Sequence, residues 1–291
     1  MNFQFKPMSP NLGVEISGID LSQALDATTF KQLYDLWLEY AVMIVRNQKL
    51  DPPHYAAVAQ MFGDILKQQL SQFTLQDHPL VGTISSRDLP MINGKLRVRG
   101  ENYHTDHSNF EAPPKATMLH AVNLPSKGGD TQFVDVRRAF DELPEAIKQK
   151  ILPLRSYHVY ESSKSPRKMA ALSSEERAKV PQTIQPLVIK HHETGRAALY
   201  LNTGRMEGIV GMDSAQAYQL IDQLYAHATQ SKYEYRHKWQ HGDMVIWDNR
   251  SVMHQANADY DPSEYRFLYR IMLQGNPLQA FQSTPVEVST P

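Results

Sequence analysis

The stretch KYEYRHKWQHGDMVIWDNRSVMHQAN (Lys232–Asn257) reads as three short β patterns in succession, KYEYRHKW, DMVIWDN and SVMHQAN. QHGD is the turn between the first two. Gly242 sits at its centre, where a left-handed backbone conformation is wanted. The same pattern extends both ways. From Ala116 onward ATMLHAVNL, TQFVDV, RSYHVYE, IQPLVIKH and AALYLN come before it, and YRFLYRIMLQG follows. SKGGD and ETGR are further turn signals. Two helical patterns interrupt, one over Val136–Leu152 and one over Asp213–Gln230, with Asp213 as candidate N-cap. The first third is mixed. Thr28–Tyr40 sets Phe30, Leu33, Leu36 and Trp37 at helical spacing, AVMIVRNQ reads as a buried strand, and Asp51 caps a helix that opens with prolines. Phe73–Arg99 is polar and broken by Gly and Pro, so strand and loop are expected there. Many short strands with few helices predict a mainly β protein with flanking helices, a β-sandwich or jelly roll.

Composition narrows the function classes. The 291 residues allow one large domain or two ordinary ones, and 41% hydrophobic content is enough for a sizeable core. A net charge of -1 without charge blocks argues against nucleic acid or an anionic membrane as partner. The absence of cysteine removes disulfides, thiolate nucleophiles and zinc–thiolate sites together. No secretory leader pattern or membrane-length apolar run is seen, so a soluble cytoplasmic protein is expected. There is no internal repeat. Ser162–Pro181, rich in Ser, Lys and Arg, reads equally as a solvated excursion or as a lid over a site.

The chemistry turns on ENYHTDHSNF (Glu101–Phe110). His104 and Asp106 are two apart, and on a strand such residues share a face, so both could reach one metal ion. Alone this is weak, because on the order of half an H-x-D is expected by chance in such a composition. A second one exists, His241-Gly242-Asp243, and the turn accounts for it. His254 supplies a third donor. Two imidazoles and a carboxylate form the facial triad of non-haem Fe(II) oxygenases, which leaves three positions open. His107 alternates off the His104/Asp106 face. His54, His120, His158, His191, His192, His227 and His237 have ordinary places in helices, strands or turns. Arg266 and Arg270 are four apart on an apolar strand and so share a face. They require anions, supplied either by acidic neighbours or by a bound carboxylate, which guanidinium holds bidentately. Thr131, after a Gly turn, is a hydroxyl donor or a simple turn residue.

Taken in order, NYHTDHSNF, GGDTQF, GDMVIWDNRSVMHQANADY and YRFLYR resemble the taurine dioxygenase/2,4-dichlorophenoxyacetate dioxygenase family. LGVEISGIDLS near the N-terminus and Phe62-Gly63-Asp64 extend the resemblance over almost the whole chain. It implies a double-stranded β-helix, a jelly-roll variant, forming a single domain over 1–291. It implies an enzyme that uses Fe(II), 2-oxoglutarate and O2 to oxidise a small-molecule substrate, giving succinate and CO2. His104, Asp106 and His254 would bind iron. Thr131 and Arg266 would hold the distal carboxylate of 2-oxoglutarate, and Arg270 would face the substrate's anionic group or assist the co-substrate. Trp247, Asp248 and Asn249 would be structural. A homo-oligomer is expected by the same resemblance. There are departures. Tyr103 stands where the family has Trp, and with Asn102 it is placed beside the substrate. Gln68 falls near a sulfonate-binding histidine of taurine dioxygenase, and Arg205 near a pocket phenylalanine. These changes argue against taurine and for another anion, such as a carboxylate, sulfonate or sulfate ester. Desaturation, cyclisation or isonitrile formation within the family, or a non-oxidative metal-dependent jelly-roll enzyme, are the alternatives.

Overall fold

In a computed structural model, residues 3–9, 12–67, 73–92, 95–98, 100–165, 175 and 180–282 are described. The N-terminal part comprises β1 (Gln4–Pro7), β2 (Val14–Ser17), α1 (Ala27–Tyr40), β3 (Val42–Val45), α2 (Pro52–Phe62) and β4 (Gly82–Ser85). The hairpin β5 (Met91–Ile92) and β6 (Lys95–Leu96) leads to β7 (Ala116–Asn123), β8 (Thr131–Asp135), α3 (Val136–Asp141) and α4 (Glu145–Ile151). Short strands β9 (Arg155–His158), β10 (Thr183–Pro186), β11 (Val188–Lys190), β12 (Ala197–Leu199) and β13 (Met206–Ile209) precede α5 (Ser214–Ala228). Then come β14 (Glu234–His237), β15 (Met244–Asp248), β16 (Val252–Ala256), β17 (Phe267–Leu273) and β18 (Gln279–Ala280).

Local chemistry explains the helix ends. Asp26, Asp51 and Asp213 each accept a backbone N–H from the first turn of α1, α2 and α5. Prolines open α2 as expected. The single helix expected over Val136–Leu152 is in fact two. Pro144 lacks an N–H and clashes with a continuing helix, so α3 stops before it and α4 starts after it. IQPLVIKH likewise divides at Leu187, its halves joining different sheets.

The large sheet runs β1-β2-β3-β15-β7-β17-β4, and a three-stranded sheet runs β14-β8-β16. Chain order moves between them: β7 lies in the first, β8 in the second, and β14 to β17 alternate. That alternation is the double-stranded β-helix, so the expected jelly-roll class holds. β2 and β3 are parallel because α1 forms their crossover; the other pairings are antiparallel. Side chains on β15 alternate. Val245 and Trp247 pack with Phe133, Val252 and Leu268 between the sheets. Met244 and Ile246 pack with Leu33, Trp37 and Tyr55 beneath α1 and α2. Both faces are covered, which is why MVIW is a continuous apolar run without a polar alternate. A further cluster joins α3 and α5 to β11 and β12. Among the described residues no helix is long and apolar enough to cross a membrane.

At the end of β15 the buried Asp248 accepts from Arg250 Nε (2.9 Å), Arg250 Nη2 (2.8 Å) and His191 Nε2 (2.8 Å). His191 Nδ1 accepts the N–H groups of Glu193 and Thr194, so its proton is on Nε2, toward Asp248. Burial would raise the Asp248 pKa, but the Arg250 and His191 neighbours hold it well below the usual carboxylate range. Arg250→Ala leaves this carboxylate buried without its cation and is expected to cost about 3–5 kcal/mol in urea unfolding at neutral pH. Because the folded carboxyl titrates below the unfolded one, the contribution is complete above roughly pH 4 and is lost as pH falls. Wild type and variant should therefore converge in acid; a constant gap would assign the loss to packing.

Candidate active site

The site is built on a β-bridge. His254 lies mid-strand on β16, opposite Phe133 of β8. On its other side His104 N–H donates to His254 O (3.0 Å) and His254 N–H to His104 O (2.9 Å). Residues that exchange both backbone bonds stand directly opposite, with side chains on one face. The two imidazoles accordingly lie with ring centroids 4.3 Å apart. Asp106, two residues on, brings Oδ1 to 3.7 Å from His104 Nε2 and Oδ2 to 3.8 Å from His254 Nε2. The three ligand atoms lie within 4.8 Å of one another, and among the described residues no other such group of three occurs.

The donor set has the chemistry a divalent ion requires. His104 Nδ1 is 2.8 Å from Asn102 O, which fixes the proton there and frees Nε2. Burial pushes the His254 pKa down to about 3, so the ring is neutral. Burial opposes the charge on Asp106, but the flanking imidazoles and the Thr117 hydroxyl hold its carboxyl well below the usual range. A neutral His254 imidazole, the free Nε2 of His104 and an ionised carboxylate are ligating groups. They fit iron(II), with three positions left for co-substrate and O2.

Asp106 is oriented by a relay that sequence reasoning missed. Thr117 Oγ1 donates to Asp106 Oδ2 (2.6 Å), Asn249 Nδ2 to Thr117 Oγ1 (3.0 Å), and Trp247 Nε1 to Asn249 Oδ1 (3.0 Å). Thr105 Oγ1 ties the ligand loop to Asn249 O (2.9 Å). The Trp247 ring also packs on His254, centroids 4.6 Å apart. Trp247 and Asn249 thus support both sides of the ligand set. Thr117 carries no sequence signal beyond being a threonine in a strand. Gly100 has φ +73, and a Cβ there would meet His104 Cε1 at 2.7 Å.

Beside the triad is a cavity of about 120 Å³, lined by Thr131, Arg266, Arg270 and apolar residues including Ile84, Leu119 and Trp247. Arg266 and Arg270 share the face that their spacing implied. Arg266 is buried, and its Nε and Nη2 donate to Gly129 O (3.2 and 3.0 Å). Among the described residues no carboxylate lies within ion-pair distance of Arg266, though Asp130 and Asp259 are near enough to favour its charge. Gly128 and Gly129 take φ +74 and +71, and a Cβ on Gly129 would meet Arg266 Nε at 2.9 Å. Asp259 accepts Gly129 N–H (2.8 Å) and fixes the turn. Burial lowers the pKa of both arginines, yet a guanidinium stays charged.

The remaining candidates are dispersed. Arg205 is half-buried, donates to Tyr160 O (3.0 Å) and is close enough to Asp106 for mutual electrostatic influence, but it does not line the cavity. Tyr103 alternates away from His104 into the core, its hydroxyl donating to Glu234 (2.7 Å). Asn102 contributes its carbonyl to His104. Gln68 lies outside the described residues. His107 is not among the converging ligand atoms and takes φ +44. His241-Gly242-Asp243 is a turn, with Gly242 at φ +78, but it carries the chain from β14 in the small sheet to β15 in the large one and so is not the hairpin tip its sequence suggested. Of 162–181, only 162–165, 175 and 180–181 are described. Ser162 N–H donates to Gly204 O, and Asn109 Nδ2 to Pro181 O, so both ends of the segment abut the ligand and Arg205 loops.

Comparison with known proteins agrees with this geometry. The model of the family described as "Taurine catabolism dioxygenase TauD, TfdA family" matches residues 4–272. The chain is 31% identical over 282 residues to the alpha-ketoglutarate-dependent 2,4-dichlorophenoxyacetate dioxygenase of Cupriavidus pinatubonensis, covering 93% of this chain and 97% of that one. It is 31% identical over 281 residues to the alkylsulfatase of Acinetobacter baylyi, covering 94% and 85%. The crystal structure of AAD-2 with Mn(II) and N-oxalylglycine matches with a TM-score of 0.81 at 26% identity, over 96% of this chain and 100% of that one.

Thr117→Val removes the hydroxyl that holds Asp106. It is expected to weaken divalent-metal binding about 10–100-fold, read by competition with a chromophoric chelator. An affinity equal to wild type would show that Thr117 merely fills space.

Proposed function

The chain belongs to the TauD/TfdA family and is an Fe(II)- and 2-oxoglutarate-dependent dioxygenase; from that premise we propose that it hydroxylates a small anionic organic substrate. A carboxylate, sulfonate or sulfate ester is the favoured class. The observation that carries this reading is the surplus of guanidinium groups around the triad. Arg266 and Arg270 line the cavity, Arg205 acts on Asp106 from outside it, and Asp106 is committed to metal.

Each residue has a task in this reading. His104, Asp106 and His254 hold iron. Thr131 and Arg266 hold the distal carboxylate of 2-oxoglutarate, a two-oxygen group that suits a fork and a hydroxyl. Arg270 and Arg205 attract and orient the substrate's anion, so that a C–H bond faces the metal. Ile84, Leu119 and Trp247 keep water from that space. Bound iron and 2-oxoglutarate supply the oxidising power from O2, with succinate and CO2 as co-products. The protein's contribution is placement and charge.

The relatives support an anionic substrate, since one is named for a phenoxyacetate and one for alkyl sulfates. Taurine fits less well, because its ammonium would approach the guanidiniums that attract its sulfonate. Hydroxylation at a carbon bearing oxygen or sulfur would give a product that falls apart, which makes ether and ester cleavage the practical outcomes to screen.

The test is succinate release with panels of aryloxy acids, sulfonates and sulfate esters, each beside an uncharged analogue. Anions are expected to stimulate turnover. Arg270→Gln and Arg205→Gln should raise substrate KM by roughly 10–100-fold, the size of a lost charge-assisted hydrogen bond. Equal stimulation by uncharged analogues would overturn the substrate class while leaving the enzyme class in place.

A further inference from the structure

The second H-x-D, His241-Gly242-Asp243, is not part of a three-donor cluster among the described residues, yet it is firmly anchored. Asp243 is fully buried. Its Oδ2 accepts from Arg46 Nη1 (2.6 Å) and Gln240 N–H (2.8 Å) and lies 3.1 Å from His237 Nε2. Arg46 is held in turn by Glu15 (2.7 Å). Gln48 N–H donates to Gly242 O (2.7 Å), and a Cβ on Gly242 would strike Gln48 O at 2.8 Å. The turn between β14 and β15 is therefore locked on the large sheet. What it carries is Trp239. The indole stands edge-on to His237, centroids 4.6 Å apart, and its Nε1 lies 3.1 Å from Thr131 Oγ1. Thr131 is the register partner of His237, which brings the two strands level there.

This contact fixes a direction. Indole N–H can only donate, so Thr131 must accept from it. A hydroxyl has one proton, and that proton is then left to point elsewhere. Among the described residues Thr131 Oγ1 has no other partner, and Thr131 lines the cavity beside Arg266. The cavity end thus presents the Thr131 hydroxyl proton beside the Arg266 guanidinium, and a carboxylate, with two acceptor oxygens, can satisfy both.

We propose that Trp239 is a positioning residue for the co-substrate, whose indole N–H occupies one lone pair of Thr131 and so keeps the hydroxyl proton turned toward the distal carboxylate. This rests on the reading that Thr131 and Arg266 hold the distal carboxylate. Without the indole, the Thr131 proton is free to turn away from the carboxylate, and binding weakens.

The experiment is calorimetric titration of Mn(II)-loaded protein with N-oxalylglycine. Trp239→Phe is expected to weaken N-oxalylglycine binding about 5–10-fold, the scale of one hydrogen bond to a group that holds a charge. It should leave Mn(II) affinity unchanged. Trp239→Leu carries the same expectation as a second variant. In a Thr131→Val background the Trp239 substitution should add less than about twofold, whereas in Thr131→Ser its effect should persist. Unchanged N-oxalylglycine affinity in the single variants, or an equal loss in the Thr131→Val background, would overturn the proposal and reduce Trp239 to packing. If Thr131→Val and Arg266→Ala both bind N-oxalylglycine like wild type, the carboxylate anchor itself is wrong and the proposal falls with it.

Discussion

The structure depends on one backbone contact, the mutual hydrogen bonds between His104 and His254. Two residues distant in sequence are made direct β neighbours, so their imidazoles have no alternative to facing each other. The rest of the fold can be read as the means of holding that pair. β16 carries His254 and is fixed on its other side by β8. Asn202 Nδ2 and Asn249 O secure the ligand loop through Thr105. Asp106 then needs only the Thr117 bond to complete the triad.

The second constraint is electrostatic. Arginines are placed in or around a cavity at a considerable desolvation cost, and among the described residues no carboxylate lies within ion-pair distance of Arg266, with Asp130 and Asp259 acting on it from further away. 2-Oxoglutarate, an anion, would offset part of that cost in the working state, and the proposed anionic substrate would offset more. The Gly128-Gly129 turn belongs to the same design. Its left-handed backbone brings a carbonyl to Arg266 that any side chain on Gly129 would displace.

Much of this was legible because the ligands and anchors are of rare types in regular spacing. His104, Asp106 and His254 needed only an H-x-D, a distant histidine and a strand period of two. Arg266 and Arg270 stood out as charges in an apolar strand. The caps at Asp51 and Asp213 were readable for the same local reason. What escaped was tertiary. Thr117 and Trp239 act through partners far along the chain, and nothing in their own segments marks them, while Asn249 was marked only as structural and its bond to Thr117 was not. Pro144 was visible in Val136–Leu152, but helical periodicity on both sides masked its breaking effect. Tyr103 was assigned to the substrate by its place next to His104, although the same alternation that pairs His104 with Asp106 turns Tyr103 into the core.

The most direct test of the account is an anaerobic titration of the metal-free protein with Fe(II) and 2-oxoglutarate, followed by visible absorption. A metal-to-ligand charge-transfer band that saturates at one equivalent of each, and is absent in His104→Ala, is the expected result. A folded protein that binds Fe(II) yet develops no band, or an unchanged band in His104→Ala, would contradict the triad as the place where iron and 2-oxoglutarate meet.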